Sequence, residues 1–416
     1  MRSVQAIIIG AGQAGLAMSH CLGRHGIDHV VLERGRVAER WRTERWDSLR
    51  LLTPNWMSRL PGWSYQGHDP DGYMAMPEVV EFLSSYSRLS RTPLEAGTDV
   101  LSVRRVPGGY QVATSRGTWA AGAVVVATGH CGHPAIPAMA RCLPSAIGQV
   151  TPSDYRRPST LADGGVLVVG ASATGVQLAE EIHRSGRPVT LSVGSHTRLP
   201  RTYRGRDIMW WMDRIGVLDE RAGDVPNLQR ARTQPSLQLV GSVDRRSIDL
   251  DTLRKTGLRI VGRAIGVEGG LVHLRDDLAE TTTASQGTLA RLLARIDAAV
   301  PDANGQGRVE AAALLRPVAF EPAPPALDLA ADGIRTVLWA TGYRRSYGWL
   351  RVPEVLDASG EIIHRDGVTA VPGLCVLGLR FLRRRKSSFL DGVGGDAEAI
   401  AKHLIAQLTS PRRVAA

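Results

Sequence analysis

Cysteine is scarce in the sequence, and its cysteines form no redox pair. The chain has 416 residues and four cysteines, which are Cys21, Cys131, Cys142 and Cys375. No two of them have the C-x-x-C spacing that dithiol oxidoreductases use for disulfide exchange. The sequence therefore excludes a C-x-x-C relay, and its scattered cysteines and histidines predict no metal site, which would need about four ligands.

Long hydrophobic runs are also missing. No stretch approaches the roughly 20 apolar residues that a membrane-spanning helix needs, so we expect no membrane span. The first apolar run, residues 6–9, is too short for a secretory signal and reads as a strand. This predicts a cytoplasmic protein without a targeting segment. A chain of this length predicts two or three domains.

Acidic residues are outnumbered by basic ones. Lys and Arg number 51 against 40 Asp and Glu, which gives a formal net charge of +11. The one dense basic run is RRRK at residues 383–386, and no nucleic-acid-binding module accompanies it. We therefore expect no nucleic-acid partner, and the basic excess is compatible with anionic cofactors.

Residues 5–35 contain the strongest pattern in the chain. An apolar run ends in GAGQAG, and a helical pattern and a second apolar run follow. In such a unit Gly10 permits the turn, Gly12 lets the backbone approach a pyrophosphate, and Gly15 lets helix and strand pack closely. Glu33 ends the second strand, where it can accept hydrogen bonds from a ribose diol. The pattern predicts a dinucleotide site.

A second unit of this kind occupies residues 166–194, where an apolar run ends in GASATG. When its second strand is aligned with that of the first unit, Ser192 stands at the position of Glu33. The carboxylate that would repel a 2′-phosphate is therefore absent, and Arg198 and Arg201 follow within a few residues. Because arginine holds phosphate bidentately, we predict NADPH rather than NADH here.

Residues 35–62 combine three tryptophans with several arginines. Flat and cationic side chains in an irregular segment favour a loop that lies along a bound cofactor, with arginines near its phosphates. In this interpretation Thr53-Pro54-Asn55 turns toward the reactive ring of the cofactor.

Periodicity and turn residues predict further elements. We expect helices over 76–88, 208–212, 286–300 and 389–408, strands over 100–106 and 109–114, and a polar turn from Asp302 to Gly307. The helix at 208–212 is equally compatible with a substrate pocket and with the core. Buried strands at 123–126 and 334–339 each end in Ala-Thr-Gly, which we interpret as crossings between domains.

With both glycine units, both Ala-Thr-Gly turns and the tryptophan–arginine segment, the chain resembles the flavin-containing monooxygenases and their Baeyer–Villiger relatives, the class B flavoprotein monooxygenases. The resemblance implies FAD at the first glycine unit, NADPH at the second, and a C4a-(hydro)peroxyflavin formed with O2. The family signature F-x-G-x-x-x-H-x-x-x-[Y/F] is incomplete here, since Gly148 and Tyr155 match it with a one-residue gap but its Phe and His are absent. Oxygenation at nitrogen, sulfur or a carbonyl therefore stays open.

These observations predict an α/β fold with two Rossmann-like dinucleotide-binding domains, the NADPH domain inserted in a discontinuous FAD domain. The predicted FAD domain comprises residues 1–155 and 335–416, and the NADPH domain comprises residues 156–334. The predicted cofactor-binding residues are Gly10, Gly12, Gln13, Ala14, Gly15, Glu33, Arg34, Trp41, Arg42, Thr128, Gly129, Gly170, Ser172, Ala173, Thr174, Gly175, Ser192, Arg198, Arg201, Thr341, Gly342 and Gly378.

Four residues are predicted to act in catalysis. Thr53 and Asn55 are expected to hydrogen-bond the oxygenated flavin or the nicotinamide. Lys386 and Ser387 precede the last helix, whose N-terminus stabilises negative charge on a reduced flavin ring. The predicted reaction is monooxygenation of a small or medium apolar organic substrate with NADPH and O2.

Two other functions fit the same motifs. The main alternative is an NADPH-dependent flavin reductase of the thioredoxin-reductase-like type that passes electrons to a ferredoxin-like carrier. A third interpretation is a flavin-binding sensor without activity. The sequence leaves open the substrate and the oligomeric state, including a homodimer.

Overall fold

The computed structural model describes residues 1–303, 310–312, 318, 320 and 324–409. The α-helices in this part of the chain are α1 (Gln13–Arg24), α2 (Glu39–Thr43), α3 (Met76–Leu89), α4 (Ala173–Arg184), α5 (Ile208–Arg214), α6 (Leu228–Thr233), α7 (Leu250–Lys255), α8 (Leu278–Ala303) and α9 (Leu390–Thr409).

The strands of the same residues form two large sheets and several short ribbons. They are β1 (Arg2–Ile9), β2 (His29–Leu32), β3 (Arg59–Leu60), β4 (Trp63–Ser64), β5 (Leu94–Glu95), β6 (Val100–Val106), β7 (Gly109–Thr114), β8 (Gly117–Val126), β9 (His133–Pro134), β10 (Gly148–Val150), β11 (Gly165–Val169), β12 (Val189–Ser192), β13 (Thr197–Arg198), β14 (Thr202–Tyr203), β15 (Arg206–Asp207), β16 (Leu237–Gln238), β17 (Arg259–Val261), β18 (Ala264–Glu268), β19 (Leu271–Leu274), β20 (Ala326–Asp328), β21 (Ile334–Trp339), β22 (Tyr343–Arg344), β23 (Leu350–Arg351) and β24 (Leu374–Val376).

The first sheet has the strand order β23-β6-β7-β8-β1-β2-β5, with β24 paired to β8. β1 lies between β8 and β2 and is parallel to both. β6 and β7 extend the sheet as antiparallel strands. The carboxyl ends of β1, β2, β8 and β24 therefore meet at one edge, where ligands bind in open sheets of this kind.

The second sheet, β10-β21-β11-β12-β17, is parallel throughout. Side chains of β11 alternate between two hydrophobic clusters, with Val166 and Val168 in one cluster and Leu167 and Val169 in the other. Both faces of the sheet are thus covered by apolar residues, as a parallel sheet requires. The two sheets confirm the predicted α/β fold with two Rossmann-type domains.

The two segments that cross between the sheets pair with each other. β9 and β22 form an antiparallel ribbon in which Tyr343 lies opposite Pro134 and Arg344 opposite His133. The strands nearest the predicted boundaries, β10 and β21, both belong to the second sheet. The predicted boundary at 334/335 therefore falls inside the second sheet, and the chain returns to the first sheet after residue 342.

Most predicted elements are present. The helices expected over 76–88, 208–212, 286–300 and 389–408 correspond to α3, α5, α8 and α9, and the two expected strands are β6 and β7. Helix α8 begins at Leu278, earlier than predicted. The apolar pattern missed its first turns because the residues buried there include the polar Thr282 and Ser285. The predicted turn from Asp302 to Gly307 lies largely outside the described residues. Among the described helices, none has the length and apolar character needed to cross a membrane.

Helix α9 carries a buried carboxylate. The side chain of Asp396 is 2% exposed, and its Oδ1 lies 3.9 Å from Nε of Arg383. Burial raises the pKa of Asp396 to about 6, although Ser387 and Arg383 oppose this shift. The folded state therefore binds the proton more tightly than the unfolded state, and ionisation of Asp396 lowers stability as the pH rises.

We predict that Asp396→Asn stabilises the protein at neutral pH. The wild type should lose stability between about pH 4 and pH 6, the interval between the ordinary and the folded-state pKa of this carboxyl. The variant should gain about 1–3 kcal/mol in the free energy of unfolding at pH 8 and little at pH 4. Thermal or urea unfolding at both pH values measures the difference, and an equal effect at the two pH values would contradict the titration.

Candidate functional site

A cavity of about 680 Å³ lies between the two domains. Its wall includes residues from both glycine turns, from the tryptophan–arginine segment and from the loops that follow β8 and β24. Of the predicted residues, those that line it are Gly10, Gly12, Gln13, Ala14, Glu33, Arg34, Trp41, Thr53, Thr128, Gly129, Ala173, Thr174 and Gly378. The two sequence units thus open into one space.

The first glycine turn has the geometry of a phosphate cradle. A Cβ on Gly10, whose φ is +109°, would lie 2.7 Å from the carbonyl oxygen of Ala127, and a Cβ on Gly15 would lie 1.8 Å from that of Gly10. A Cβ on Gly12 would meet no protein atom within 4 Å. Gly10 and Gly15 are therefore required by protein packing, whereas the space beside Gly12 is left for a ligand.

The N-terminus of α1 is available to an anion. The residue that precedes this helix is Gly12, so no side chain caps its first N–H groups. Glu33 accepts hydrogen bonds from the backbone N–H groups of Ala11 (2.8 Å) and Gly35 (2.9 Å) while also lining the cavity. Its carboxylate is thus fixed at the end of β2, the position that binds a ribose diol in Rossmann folds.

The second glycine turn repeats this geometry. Gly170 has a φ of +108°, and a Cβ on it would lie 2.5 Å from the carbonyl oxygen of Ala340. A Cβ on Gly175 would lie 1.8 Å from the carbonyl oxygen of Gly170. Ser172 occupies the position of Gly12, and its side chain does not cap α4. Gly170, Ser172 and Gly175 shape the turn without lining the cavity, whereas Ala173 and Thr174 line it.

The two Ala-Thr-Gly turns differ in role. Thr128 and Gly129 line the cavity. Thr341 instead donates a hydrogen bond to the carbonyl oxygen of Ala135 (2.7 Å), and Gly342 accepts one from the N–H of the same residue. Thr341 and Gly342 therefore join the two crossing segments and do not line the cavity, so their predicted contact with a cofactor stays a prediction.

The tryptophan–arginine segment contributes both stacking and charge to the cavity. The guanidinium of Arg45 lies 5.5 Å from the ring centroid of Trp41, and both residues line the cavity. Arg42 points away, since it donates to the carbonyl oxygen of Val37 and to Ser84. The predicted cofactor contact of Arg42 is thus replaced by a structural contact to α3.

One of the four predicted catalytic residues, Thr53, lines the cavity. Asn55 is 4% exposed, donates to the carbonyl oxygen of Asp69 (2.9 Å) and accepts from the N–H of Met74 (2.7 Å). Ser387 is fully buried and accepts hydrogen bonds from the N–H groups of residues 383 and 384. Both side chains fix loops, so their predicted contacts with the flavin ring are not present in this geometry.

Lys386 also lies outside the cavity wall. Its Nζ forms ion pairs with Asp391 (3.0 Å), Asp219 (3.2 Å) and Asp213 (3.8 Å). Burial lowers the pKa of Lys386, but Asp391 and Asp219 outweigh it and raise the pKa overall. Lys386 therefore holds helix α9 against helix α5 and its following turn rather than contacting a reduced ring.

The basic run at residues 383–386, which we name the basic clamp, forms ion pairs with acidic residues of the same chain. Arg384 pairs with Asp219 (3.0 Å) and Arg385 with Glu220 (2.5 Å). Main-chain hydrogen bonds reinforce these pairs, including those from the N–H of Arg385 to Glu220 and from the N–H of Lys386 to Leu218. The clamp joins the inserted domain to the start of α9 beside the cavity.

Three residues predicted to bind the 2′-phosphate of NADPH are committed to other contacts. Ser192 donates to the carbonyl oxygen of Gly262 (3.0 Å). Arg198 forms a paired contact with Asp249, with both distances 2.8 Å. Arg201 is fully buried, donates to the carbonyl oxygen of Leu52 (2.8 Å) and pairs with Asp207 (2.6 Å). In this geometry none of the three lines the cavity, and their predicted contact with NADPH stays a prediction.

The sequence analysis missed several cavity residues, among them His130 and Cys131, which directly follow the first Ala-Thr-Gly turn. Burial raises the pKa of the Cys131 thiol, but His130, Arg45 and Arg40 outweigh burial and lower the pKa to about 7. The position of these residues after a strand-end turn was a usable signal. The arginines around the thiol come from a distant segment, so the sequence gives no signal that they lie close to it.

Two polar side-chain groups in the cavity wall lack hydrogen-bond partners in the part of the chain that the structure describes, which supports the binding of FAD and a pyridine nucleotide in this cavity. Tyr347 lines the cavity, is 4% exposed, and has no hydrogen-bond partner for its hydroxyl among the described residues. Arg40 also lines the cavity, and its Nη1 lacks a hydrogen bond within the same residues. Buried polar atoms are rarely left unpaired, so both are suited to a polar ligand. The two open helix N-termini are suited to two pyrophosphates.

Known proteins with similar sequences span the whole chain. An uncharacterized CzcO-like oxidoreductase of Geobacillus kaustophilus is 32% identical over 405 residues, which cover 97% of this chain and 98% of that protein. The chain belongs to the CzcO-like oxidoreductases. A profile of the family described as Pyridine nucleotide-disulphide oxidoreductase matches residues 7–206. The indole-3-pyruvate monooxygenase YUCCA1 of Oryza sativa is 26% identical, with 88% of this chain and 82% of that protein covered.

Solved structures show the same fold. A flavin-containing monooxygenase from Stenotrophomonas maltophilia superposes with a TM-score of 0.67 at 20% identity, covering 98% of this chain and 99% of that one. The bacillithiol disulfide reductase Bdr of Staphylococcus aureus gives a TM-score of 0.59 at 13% identity, with 98% and 99% covered. Both structures share the two-domain fold that the resemblance to the flavin-containing monooxygenases predicted for this CzcO-like chain.

We predict that Gly12→Val removes flavin without unfolding the protein. The backbone at Gly12 is extended and a side chain there meets no protein atom, so the added group occupies only the ligand space. Loss of a charge-assisted hydrogen bond from the helix terminus should weaken FAD binding about ten- to a hundredfold. Absorbance of the purified protein and titration with FAD measure this.

The matched control is Gly23→Ala on the same helix, where the added Cβ would make an ordinary contact of 3.7 Å with His29. This variant should keep its FAD. If Gly12→Val keeps all of its flavin, the pyrophosphate of FAD does not bind at Gly12 and the prediction is wrong.

Proposed function

We propose that this chain is an FAD-dependent, NADPH-using monooxygenase that oxygenates a small or medium apolar organic substrate at nitrogen, sulfur or a carbonyl. FAD is assigned to the first glycine turn and NADPH to the second. The observation that carries the proposal is the single cavity, since two open helix N-termini and an apolar wall face the same space. Such a space brings the two nucleotide-binding turns and an apolar wall together.

Bound FAD would supply hydride acceptance and the activation of O2, and the chain would supply orientation and exclusion of water. Thr53 is the predicted catalytic hydroxyl that lines the cavity. The neighbouring carbonyl of Leu52 is held by Arg201, which is itself fixed by Asp207. This buried contact, made from the inserted domain, sets the position of the Thr53 loop and makes Arg201 a positioning residue.

Water exclusion depends on the segments that cover the cavity from the inserted domain. Helix α5 contributes Met209 and Met212 to the wall, while Trp211 is fully buried and donates to the carbonyl oxygen of Tyr203 (2.7 Å). The basic clamp fixes the next turn against the start of α9. A closed apolar wall favours oxygen transfer, because it keeps water from diverting reactive oxygen species.

We assign the 2′-phosphate of NADPH to Arg263 and Ser195 in place of the residues predicted from sequence. Arg263 donates to Ser195 Oγ (3.1 Å) and lies over Gly194, where a Cβ would be 3.2 Å from its Nε. Residues 194 and 195 lie in the loop that begins with Val193 after the end of β12, the position that faces the ribose 2′-group in Rossmann folds. Asp277, 3.5 Å from Arg263, orients the guanidinium.

We predict that Arg263→Ala raises KM for NADPH about tenfold or more, since a hydrogen bond between charged groups contributes about 1.5–3 kcal/mol, and leaves KM for NADH unchanged. Initial rates of flavin reduction with each nucleotide measure the change. Arg259→Ala is the matched control, because Arg259 lies on β17 just before this loop and pairs with Asp332 (2.9 Å). An equal rise with NADH would contradict the assignment.

The reductase that transfers electrons without oxygenation is the second candidate, and Cys131 is the observation that favours it. A thiol with a pKa of about 7 lines the cavity and is suited to exchange with a disulfide. Against this candidate stands the tryptophan–arginine segment, which lines the cavity with Trp41, Arg45 and Trp46.

Isotopically labelled O2 distinguishes the two functions. FAD-loaded protein is incubated with NADPH and a panel of amines, sulfides and ketones, and the products are analysed by mass spectrometry. The monooxygenase is expected to place one labelled oxygen atom in the product and to consume NADPH in proportion. NADPH oxidation that yields only hydrogen peroxide with every compound, together with fast reduction of a disulfide, would favour the reductase instead.

A further inference from the structure

One part of the cavity belongs to neither glycine turn and is apolar. It is lined by Met209, Met212, Leu218, Leu237 and Phe389, all members of the hydrophobic cluster between α5, α8 and β16. Methionine side chains adapt to ligands of different shape. A phosphate group has no favourable partner on this surface, so it is suited to the hydrocarbon part of an organic ligand.

A cation with no carboxylate partner stands at the edge of this apolar surface. Arg380 follows the β24 turn and lines the cavity, and its Nη2 donates to the carbonyl oxygen of Gln234 (2.5 Å). Gln234 lies in the loop that leads into β16, whose first residue is Leu237, and both residues line the cavity, which places the guanidinium near the apolar wall. Among the described residues no acidic side chain lies within 4 Å of its nitrogens.

The charges around Arg380 leave it uncompensated. Its arginine neighbours Arg345 and Arg385 are paired with Glu361 (2.6 Å) and Glu220 (2.5 Å). Burial lowers the pKa of Arg380, the Cys131 thiol opposes this in part, and the two arginines add to it. A partly buried cation without a counterion is unfavourable, and a bound anion would offset this.

We propose that the substrate of this cavity is an apolar organic acid whose carboxylate binds Arg380 and whose hydrocarbon part packs on Met209, Met212, Leu237 and Phe389. This assignment of a substrate class rests on the proposed monooxygenase function. Arginine binds a carboxylate in a planar, bidentate geometry that an amide or ester does not match. The net charge of +11 also favours the approach of anions.

Binding without turnover tests the proposal. FAD-loaded protein is titrated with phenylacetate, phenylpropanoate and octanoate and with the corresponding primary amides, and the flavin absorbance or the heat of binding is followed. We expect at least one acid to bind about tenfold more tightly than its amide, as one charged hydrogen bond predicts. Equal affinity of every acid and its amide, or no binding of any acid, overturns the proposal.

Arg380→Gln is expected to remove the preference for the acid while keeping the affinity for the amide. Arg365→Gln, an exposed arginine outside the cavity, is the control and should keep the preference. If Arg380→Gln weakens NADPH or FAD binding as strongly as acid binding, Arg380 is a phosphate ligand and the proposal fails. If acids bind but no labelled oxygen is transferred to any compound, the monooxygenase function fails while the anion site stands.

Discussion

The close approach of each glycine turn to a neighbouring strand is the contact on which the rest of the structure depends. Gly10 lies against the carbonyl of Ala127, and Gly170 lies against that of Ala340, at separations that no Cβ permits. Gly15 and Gly175 then let each helix pack closely against its own glycine turn. This packing points both helix N-termini out of the sheet edges, where the peptide dipoles favour anions.

Both turns face the same cavity because the chain crosses between the sheets twice and the two crossings are paired. The β9–β22 ribbon and the hydrogen bond from Thr341 to Ala135 hold the crossings together. On the other side of the cavity, the basic clamp joins the inserted domain to α9, and Arg201 reaches from that domain to the carbonyl of Leu52. The two domains are thus connected at the cavity walls by polar contacts as well as by apolar packing, such as that of Phe389 against the cluster of α5.

The excess of arginine serves mainly to connect segments rather than to bind external polyanions. Arg198, Arg246 and Arg385 each bind a carboxylate through two nitrogens or two contacts within 3.1 Å. Arg201 and Arg156 hold backbone carbonyls of the tryptophan–arginine segment. A basic composition therefore does not identify a binding partner until the acceptor of each guanidinium is known. Arg380 differs from these arginines because its acceptor is a single carbonyl.

The sequence by itself determined the two strand–turn–helix units, the helices α3 and α9 and the strands β6 and β7, because these depend on local spacing of apolar residues and on glycines with one steric role. It also indicated that Glu33 ends β2 at the ligand edge. Only the tertiary structure decided which polar side chains reach the cavity. Asn55, Ser387, Lys386, Arg198 and Arg201 were credible ligands in sequence, but each is bound by a partner between 3 and 173 residues away. Whether a side chain turns to such a partner or to the cavity depends on how the folded chain packs around it, which local sequence patterns do not encode.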